Sequence, residues 1–336
     1  MGLTPKVIGF SILRNGVKFD YPFMESLRSL AMAAEKVYVA CGQSEDESED
    51  LLRTLDFVET VPTIWDENLR KGGLILSQQT NLVFNLLRKN TADENAWGFY
   101  LQADEVLHEQ DILKIKNDIA EAEVSGCDAI RFRYFHFWQS HHQIAINKKW
   151  YPQEIRAVRL KSPVERWGDA QSFRHQRKIY DSDAFIYHYG HVREQSSYVQ
   201  KKLGFFRLYS GEQELSSYMK RMEKKDSKTE TLSFWGSHPE VMKGRIQRLG
   251  ELFAAPIRDE VEVYGNPQDY RPSFLRSIRA KKVEWKEPNW WRNFFVKDVP
   301  VKMRSPLAHP WTAETRLMLQ LSRRQIGVSS ESSENR

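Results

Sequence analysis

The feature that most constrains this chain is a regular alternation of short apolar runs with amphipathic segments over residues 6–105. Lys6–Leu13 is an apolar run that reads as a buried strand, and Arg14-Asn15-Gly16 comes next as a turn. Tyr21–Ala34 sets Leu27, Leu30, Ala31 and Ala34 at helical spacing. Lys36–Cys41 predicts a second strand ending at Gly42. Ser44–Leu55 predicts a helix whose acidic first turn suits the positive end of its dipole. Phe57–Ile64 reads as a third strand, and Gly72-Gly73 opens a helix through about Arg88. Trp97–Gln102 is a fourth strand that runs straight into Ala103-Asp104-Glu105. Apolar strands separated by helices predict a doubly wound, mostly parallel α/β sheet. Ligands of such sheets sit beyond the carboxyl ends of the strands. The residues to inspect are therefore Arg14 and Asn15, Gly42 to Asp46, Lys71 to Gly73, and Asp104 with Glu105.

Beyond a helix at Asp111–Val124 the pattern changes. Asp128–Trp138, Glu154–Leu160 and Phe185–Tyr189 predict strands of a mixed or antiparallel addition, the last ending in His188 and His191. From Ser196 onward the chain reads as mainly helical. The organisation expected is an α/β unit over 1–195, a helical region with a basic aromatic arm over 196–326, and a flexible Ser/Glu-rich tail over 327–336. Hydrophobic residues make up 40% of the 336, which excludes a disordered chain. Two cysteines, Cys41 and Cys127, exclude a disulfide framework and point to a reducing compartment. No apolar stretch reaches the roughly 18 residues of a membrane span, and Met1–Asn15 has no secretory pattern. The net charge is +5, and it is uneven: Arg276–Arg304 holds nine Lys or Arg against three Asp or Glu.

The sharpest local signal is Phe99-Tyr-Leu-Gln-Ala-Asp-Glu-Val-Leu-His108. It delivers two adjacent carboxylates to a strand end. Hard oxygen ligands there suit a divalent metal and the diphosphate that such a metal neutralises; they equally suit a strand end capped by solvated acids. Arg14 and Asn15 could meet a base or phosphate, or form only a turn. Ser44 and Asp46 could cap the next helix. Lys71 with Gly72-Gly73 offers a cation and bare N–H groups at a helix start, the outline of an anion site. His188 reads as a core histidine or a ligand. Asp169, in Arg166-Trp-Gly-Asp-Ala-Gln171, reads as a turn cap or a general base.

Three stretches resemble family 2 glycosyltransferases of the GT-A fold. They are Ser11-Ile-Leu-Arg-Asn-Gly16 with Met24–Leu30, Lys71-Gly-Gly with Gln78-Gln-Thr-Asn81, and Leu101-Gln-Ala-Asp-Glu105. The run WDENLRKGG…QTN…FYLQADEVLHE and the later DAQSF…YHYGHVR are similar to a bacterial subgroup of that family; the likeness spans roughly residues 6–200. The resemblance implies hexosyl transfer from a nucleotide-diphosphate donor to a glycan or lipid-linked hydroxyl acceptor, with inversion, in surface polysaccharide assembly. It places Arg14, Asn15, Lys71, Gly73, Gln102 and Asp104 on the donor, with Asp46 or its loop near uracil or ribose. It implies Mg²⁺ or Mn²⁺ on Asp104 with His188 as a late ligand, Asp169 as the base and Glu154 in reserve. The pattern departs at Gln102, where the family carries an acid, so Asp104, with or without Glu105, would be the direct ligand.

Arg131–Trp138 alternates Arg131, Arg133, Phe135 and Phe137 with Phe132, Tyr134, His136 and Trp138. It reads as a half-buried strand or an aromatic acceptor platform. His136, His141 and His142 lack the Cys pair or HExxH helix of a zinc site. Lys281–Phe295 mixes cations with Trp285, Trp290 and Trp291. That composition suits a packed arm, an anionic membrane surface or stacked single-stranded nucleic acid; nucleic acid is not the expected partner. The location expected is cytoplasmic, peripheral on the inner membrane face if the arm docks. The competing expectation is a basic binding protein that keeps a nucleotide-binding scaffold without catalysis.

Overall fold

In the computed structural model the chain is described over residues 5–252, apart from 67, 70, 147–149, 210–214, 227 and 235. The basic aromatic arm with Trp285, Trp290 and Trp291, and the 327–336 tail, lie outside the described residues. The first half runs β1 (Val7–Leu13), α1 (Phe23–Ala33), β2 (Lys36–Gly42), α2 (Ser48–Arg53), β3 (Val58–Thr63), α3 (Leu74–Asn90) and β4 (Trp97–Tyr100). Strands β1 to β4 are mutually parallel in the order β3-β2-β1-β4. β1 and β4 are apolar and buried because α1 and α3 cover the sheet's two faces: Leu27 and Leu30 pack in one cluster with Trp97 and Phe99, and Val83 and Phe84 in another with Phe10 and Tyr100. The chain reverses its direction of growth between β1 and β4, which makes their carboxyl ends the topological switch point.

The second half runs β5 (Glu105–Leu107), α4 (Ile112–Val124), β6 (Ala129–Trp138), β7 (Gln143–Ala145), β8 (Gln153–Arg159), β9 (Glu165–Arg166), β10 (Phe173–Arg174), β11 (Ile179–His191), α5 (Gln195–Tyr209), α6 (Leu215–Asp226), β12 (Thr231–Ser233) and α7 (Lys243–Leu252). β8 is inserted antiparallel between β4 and β6. β11 lies parallel to β6, and β5 antiparallel to β11. The doubly wound α/β architecture with a mixed addition and helices after residue 195 is thus the one the sequence predicts. Among the described residues no helix is long and apolar enough to cross a membrane.

Several elements differ from expectation for identifiable reasons. The helix expected over 44–55 begins at Ser48, because Ser44 and Asp46 are spent on loop contacts. The strand expected to be half-buried at 128–138 is buried on both faces, because β6 lies inside the sheet between β8 and β11. Its Arg131 and Arg133 form ion pairs with Asp181 and Asp183 of β11 at 2.7 and 2.6 Å. β11 runs well past the five residues expected, and β5 is only three residues long. Cys41 and Cys127 are buried free thiols, and burial pushes the Cys41 thiol up to about 11.

One buried ion pair ties the turn after β4 to the inserted strand β8. Glu105 and Arg156 are both fully buried, and Arg156 Nε and Nη2 donate to the two Glu105 oxygens at 2.8 and 2.7 Å. Tyr134 Oη donates to the same carboxylate at 2.9 Å and the Gln102 N–H at 3.0 Å. Glu105 is therefore saturated by protein donors and is not available to a metal. Burial alone would raise its pKa, but Arg156 outweighs burial and lowers it. Replacing Glu105 by Ala leaves an uncompensated buried guanidinium, so urea denaturation should show a loss of about 3–5 kcal/mol. The lowered pKa makes the pair's contribution full above the ordinary glutamate value of 4.5 and lost as pH falls through the folded-state value. A loss that did not shrink on acidification would assign the stability elsewhere.

Candidate active site

The switch point opens into a cleft of about 600 Å³. Arg14 and Asn15 from the end of β1, Gln102 and Asp104 from the end of β4, His188 from β11 and Asp169 from the loop after β9 all line it. Six of the residues expected from the sequence are thereby brought to one cavity. Asn15 takes φ 56°. Its N–H donates to Ser44 Oγ at 3.0 Å, and its Oδ1 accepts from the Glu45 N–H at 2.8 Å. Arg14 donates from Nε to the Gln43 carbonyl at 3.1 Å and lies over the Trp65 ring at 5.6 Å.

Asp46 does not line the cleft. Its two oxygens accept from the N–H groups of Lys18 at 2.7 Å and Ser48 at 3.0 Å, so it ties two loops together and serves the start of α2. Lys71 opens the turn in which Gly72 and Gly73 take φ 61° and 71°. This left-handed backbone suits glycine, and it feeds into α3 with α5 packed against it. Glu154 accepts from Gln171 Nε2 at 2.8 Å and is outside the cleft lining.

Asp104 is buried, and three basic side chains surround it. Lys201 Nζ from α5 donates to Oδ2 at 3.1 Å, Arg193 Nη2 lies at 3.9 Å from the same oxygen, and His188 Nε2 at 3.6 Å from Oδ1. Burial would raise the Asp104 carboxyl, but Lys201, His188 and Arg193 together hold it well below the usual carboxylate range. His188 reaches this position because β5 turns back immediately after Asp104 and pairs Glu105 with His188. Gly190 completes the arrangement by close approach. A Cβ there would fall 2.5 Å from His188 Nε2 and 2.6 Å from Asp104 Oδ2.

The tautomer of His188 is set by its hydrogen bonds. His136 Nε2 lies 2.7 Å from the Tyr151 carbonyl, which can only accept, so Nε2 carries the proton. Burial first, and His188 second, lower the His136 pKa well below its ordinary value, so the ring is neutral and its Nδ1 is bare. His188 Nδ1, 3.0 Å from that nitrogen, must then be the donor. Burial also lowers the His188 pKa, partly opposed by Asp104 and Glu105. His188 accordingly turns its Nε2 toward Asp104 Oδ1, 3.6 Å away. A carboxylate oxygen and an imidazole nitrogen directed at one point are ligand types that a divalent ion accepts. Asp104 and His188 thus fit a divalent ion, with His136 and the Tyr151 carbonyl as the outer relay that orients the ligand. Among the described residues no group of three His, Cys, Asp or Glu is placed to hold a metal, so these two would be joined by substrate and water oxygens.

Asp169 is half-buried in a loop with left-handed backbone at Gly168, φ 59°, and Ala170, φ 60°. Ala170 holds this conformation at a cost of about 1–3 kcal/mol because both ends of the loop are pinned. Asn81 of α3 donates to the Arg166 carbonyl and accepts from the Arg166 N–H, both at 2.9 Å. Arg156 Nη1 donates to the Gln171 carbonyl at 2.7 Å. The Arg166 guanidinium is buried over Tyr100 at 3.9 Å and Phe173 at 4.1 Å; burial, then Arg156, pushes its pKa down to about 10. Sequence reading assigned no site role to Lys201, Arg193, Trp65 or Arg156, and weighed His136 only for a zinc group or an acceptor platform. Arg156 left a trace, a charge inside an apolar strand, whereas the others meet the site only through tertiary contacts.

Neither a scan against protein-family models nor a search of curated proteins found a match. Among solved structures the chain is similar to S. aureus TarS at 10% identity, covering 98% of this chain with a TM-score of 0.35. The chain spans 56% of the length of that TarS chain. It is also similar to TarS 1-349 in complex with UDP, at 11% identity, covering 98% and 93% of the two chains with a TM-score of 0.36. A mannosyltransferase from Pyrobaculum calidifontis in complex with GDP-Man and Mn²⁺ gives 12% identity, coverage of 98% and 89%, and a TM-score of 0.36. These scores are low, and the functional reading rests on the residues of the cleft alone.

Removing the Asn81 side chain should cost about 1–3 kcal/mol, the sum of two part-buried hydrogen bonds. Asn81→Ala should also speed amide exchange across residues 166–171 while leaving β1 to β4 protected. Uniform protection across that loop in the variant would show that Asn81 does not hold it.

Proposed function

We propose that the chain is a nucleotide-sugar transferase of the GT-A type that passes a hexosyl group to a hydroxyl acceptor with inversion. The observation that carries this reading is the convergence of Asp104, His188, Lys201 and Asp169 on one cleft at the carboxyl ends of the strands, with His188 Nε2 3.6 Å from Asp104 Oδ1. A Mg²⁺ or Mn²⁺ held by Asp104 and His188 would supply charge neutralisation for the donor's diphosphate. Arg14, Asn15 and Trp65 form the end of the cleft suited to the nucleoside, and Gln102 offers a neutral oxygen beside Asp104.

Asp169 is the carboxylate positioned to take the proton of the acceptor hydroxyl. As that oxygen bonds to the anomeric carbon, the bond from this carbon to the diphosphate oxygen breaks and its electron pair leaves with the diphosphate. The acceptor class that fits the resemblance is a glycan or lipid-linked glycan of the cell envelope. α5 lines the cleft, so the working unit extends past residue 195.

A thermal-shift panel of UDP-, GDP- and dTDP-sugars, with and without Mn²⁺, tests the reading at its base. One donor should stabilise the chain, and oligonucleotides should not; stabilisation by oligonucleotides alone would favour the basic binding protein instead. Asp104→Ala should abolish transfer with the fold intact. Asp169→Asn keeps size and hydrogen bonding but cannot take the proton, so kcat should fall by about 10²–10⁴ with donor affinity nearly unchanged. A collapse of donor affinity would move Asp169 to the donor site.

His136→Phe removes the acceptor that fixes the His188 tautomer and should weaken Mn²⁺ binding about 10–100-fold, read by electron paramagnetic resonance titration. Unchanged affinity would show that the outer relay does not govern the ligand.

A further inference from the structure

His141, in the turn between β6 and β7, meets His238, ahead of α7, edge to face with ring centroids 5.8 Å apart. Aromatic rings complete the box: Tyr189 lies 5.7 Å from His141, and Phe137 and Phe234 lie 4.9 and 5.1 Å from His238. The Nε2 atom of each imidazole is buried with no hydrogen-bond partner. An apolar ring of similar shape would pack here without that cost. The titratable and charged groups facing the pair come from four elements. They are Tyr189 of β11, whose Oη is 2.8 Å from His238 Nδ1, His142 of the same turn, His108 ahead of α4, and Arg245 of α7. Glu109, the acid next to His108, accepts from the Glu240 N–H at 3.1 Å. Among the described residues no carboxylate pairs with either ring. Burial first, then His238, holds the His141 pKa down at about 3, and burial, then His142, holds that of His238 at about 4.

We propose that His141 and His238 form an acid-sensitive latch: while both rings are neutral it holds residues 236–252 on the β6–β11 face, and when both are protonated it lets that segment go. Within the segment, Met242 packs in one cluster with Phe137 and Tyr189, and Ser237 Oγ lies 2.9 Å from His108 Nε2. Arg245 Nη2 donates to the Asp20 carbonyl at 2.6 Å and pairs with the Asp20 carboxylate at 2.8 Å. Two imidazolium charges beside Arg245 in an aromatic box have neither water nor an acid to offset them, so protonation favours the open segment, where both rings are hydrated. Released rings take up protons near the ordinary histidine value of 6.5, and held rings only well below it. The attachment therefore weakens progressively as pH falls from about 6.5 toward about 4. Opening also frees Asp20, the neighbour of Phe19, which lines the cleft, so the cleft wall loosens with the latch.

The test is hydrogen exchange of the full chain, read by mass spectrometry at about pH 7.5 and about pH 5, with each rate divided by its intrinsic value. Peptides over 236–252 should open about 10²–10³-fold more at the lower pH, the product of roughly 30-fold per ring, while β1 to β4 stay protected. His141→Phe with His238→Gln keeps the aromatic packing at one position and a partner for Tyr189 Oη at the other, and should hold the segment closed at both pH values. If that variant does not fold, nuclear magnetic resonance titration of the assigned His141 and His238 ring C–H signals in the wild-type chain decides, and both must titrate below about pH 5. Protection of 236–252 that does not change with pH overturns the latch. So does a loss that persists in the double variant, a loss shared equally by β1 to β4, or either ring titrating above about pH 5.

Discussion

The buried pair of Glu105 and Arg156 is the interaction on which the rest of the structure depends. Two charges with no solvent access are tolerated only when each is fully engaged, and here the engagement reaches four parts of the fold. The Glu105 carboxylate closes the turn at Gln102 and takes the Tyr134 hydroxyl of β6. Arg156 of β8 grips that carboxylate with one part of its fork and the Gln171 carbonyl with another. The strand end bearing Asp104, the inserted antiparallel strand and the loop bearing Asp169 are therefore held by one set of bonds. Glu105 adjoins the carboxylate proposed to do chemistry, yet it is itself structural. Adjacent acids at a strand end have divided their roles by burial and by partner.

The same division sorts the basic residues. Arg156 spends its charge on Glu105. Arg131 and Arg133 spend theirs on β11, and Arg245 on Asp20. Around Asp104, by contrast, the described cations outnumber the acid they surround. A carboxylate and an imidazole side by side at a cleft, with an ammonium against them, suit an anionic ligand that brings or shares a metal ion. Lys201 lies on α5, past the resembling stretch, so the helical region takes part in the site and is more than a cover for it.

The early strands and the position of Asp104 were legible because both are local. Buried parallel strands read as apolar runs, and the motif Leu101–Glu105 directly follows one of them, β4. Arg14, Asn15 and Asp169 were legible as residues past strand ends, and His188 as a polar residue near the end of one. What the sequence could not display is partnership between distant residues. Lys201 stands 97 positions from Asp104, and His136 stands 52 from His188. Asp46 has the composition of a ligand-binding loop, but two backbone N–H groups nearby claim its oxygens. β5 was invisible because three residues carry no period; its pairing with β11 nevertheless decides where His188 points.

The loops at the end of the cleft proposed for the nucleoside are stitched to one another. Asn15, Val17 and Lys18 donate their N–H groups to Ser44, Ser48 and Asp46, and Glu45 returns one to Asn15. Both loops are fixed before any ligand arrives, so little chain entropy remains to be lost there on binding. Discrimination at that end then comes from shape already in place, as with a mould. Nucleosides would be sorted by whether they fit rigid walls, at encounter rates unslowed by loop folding.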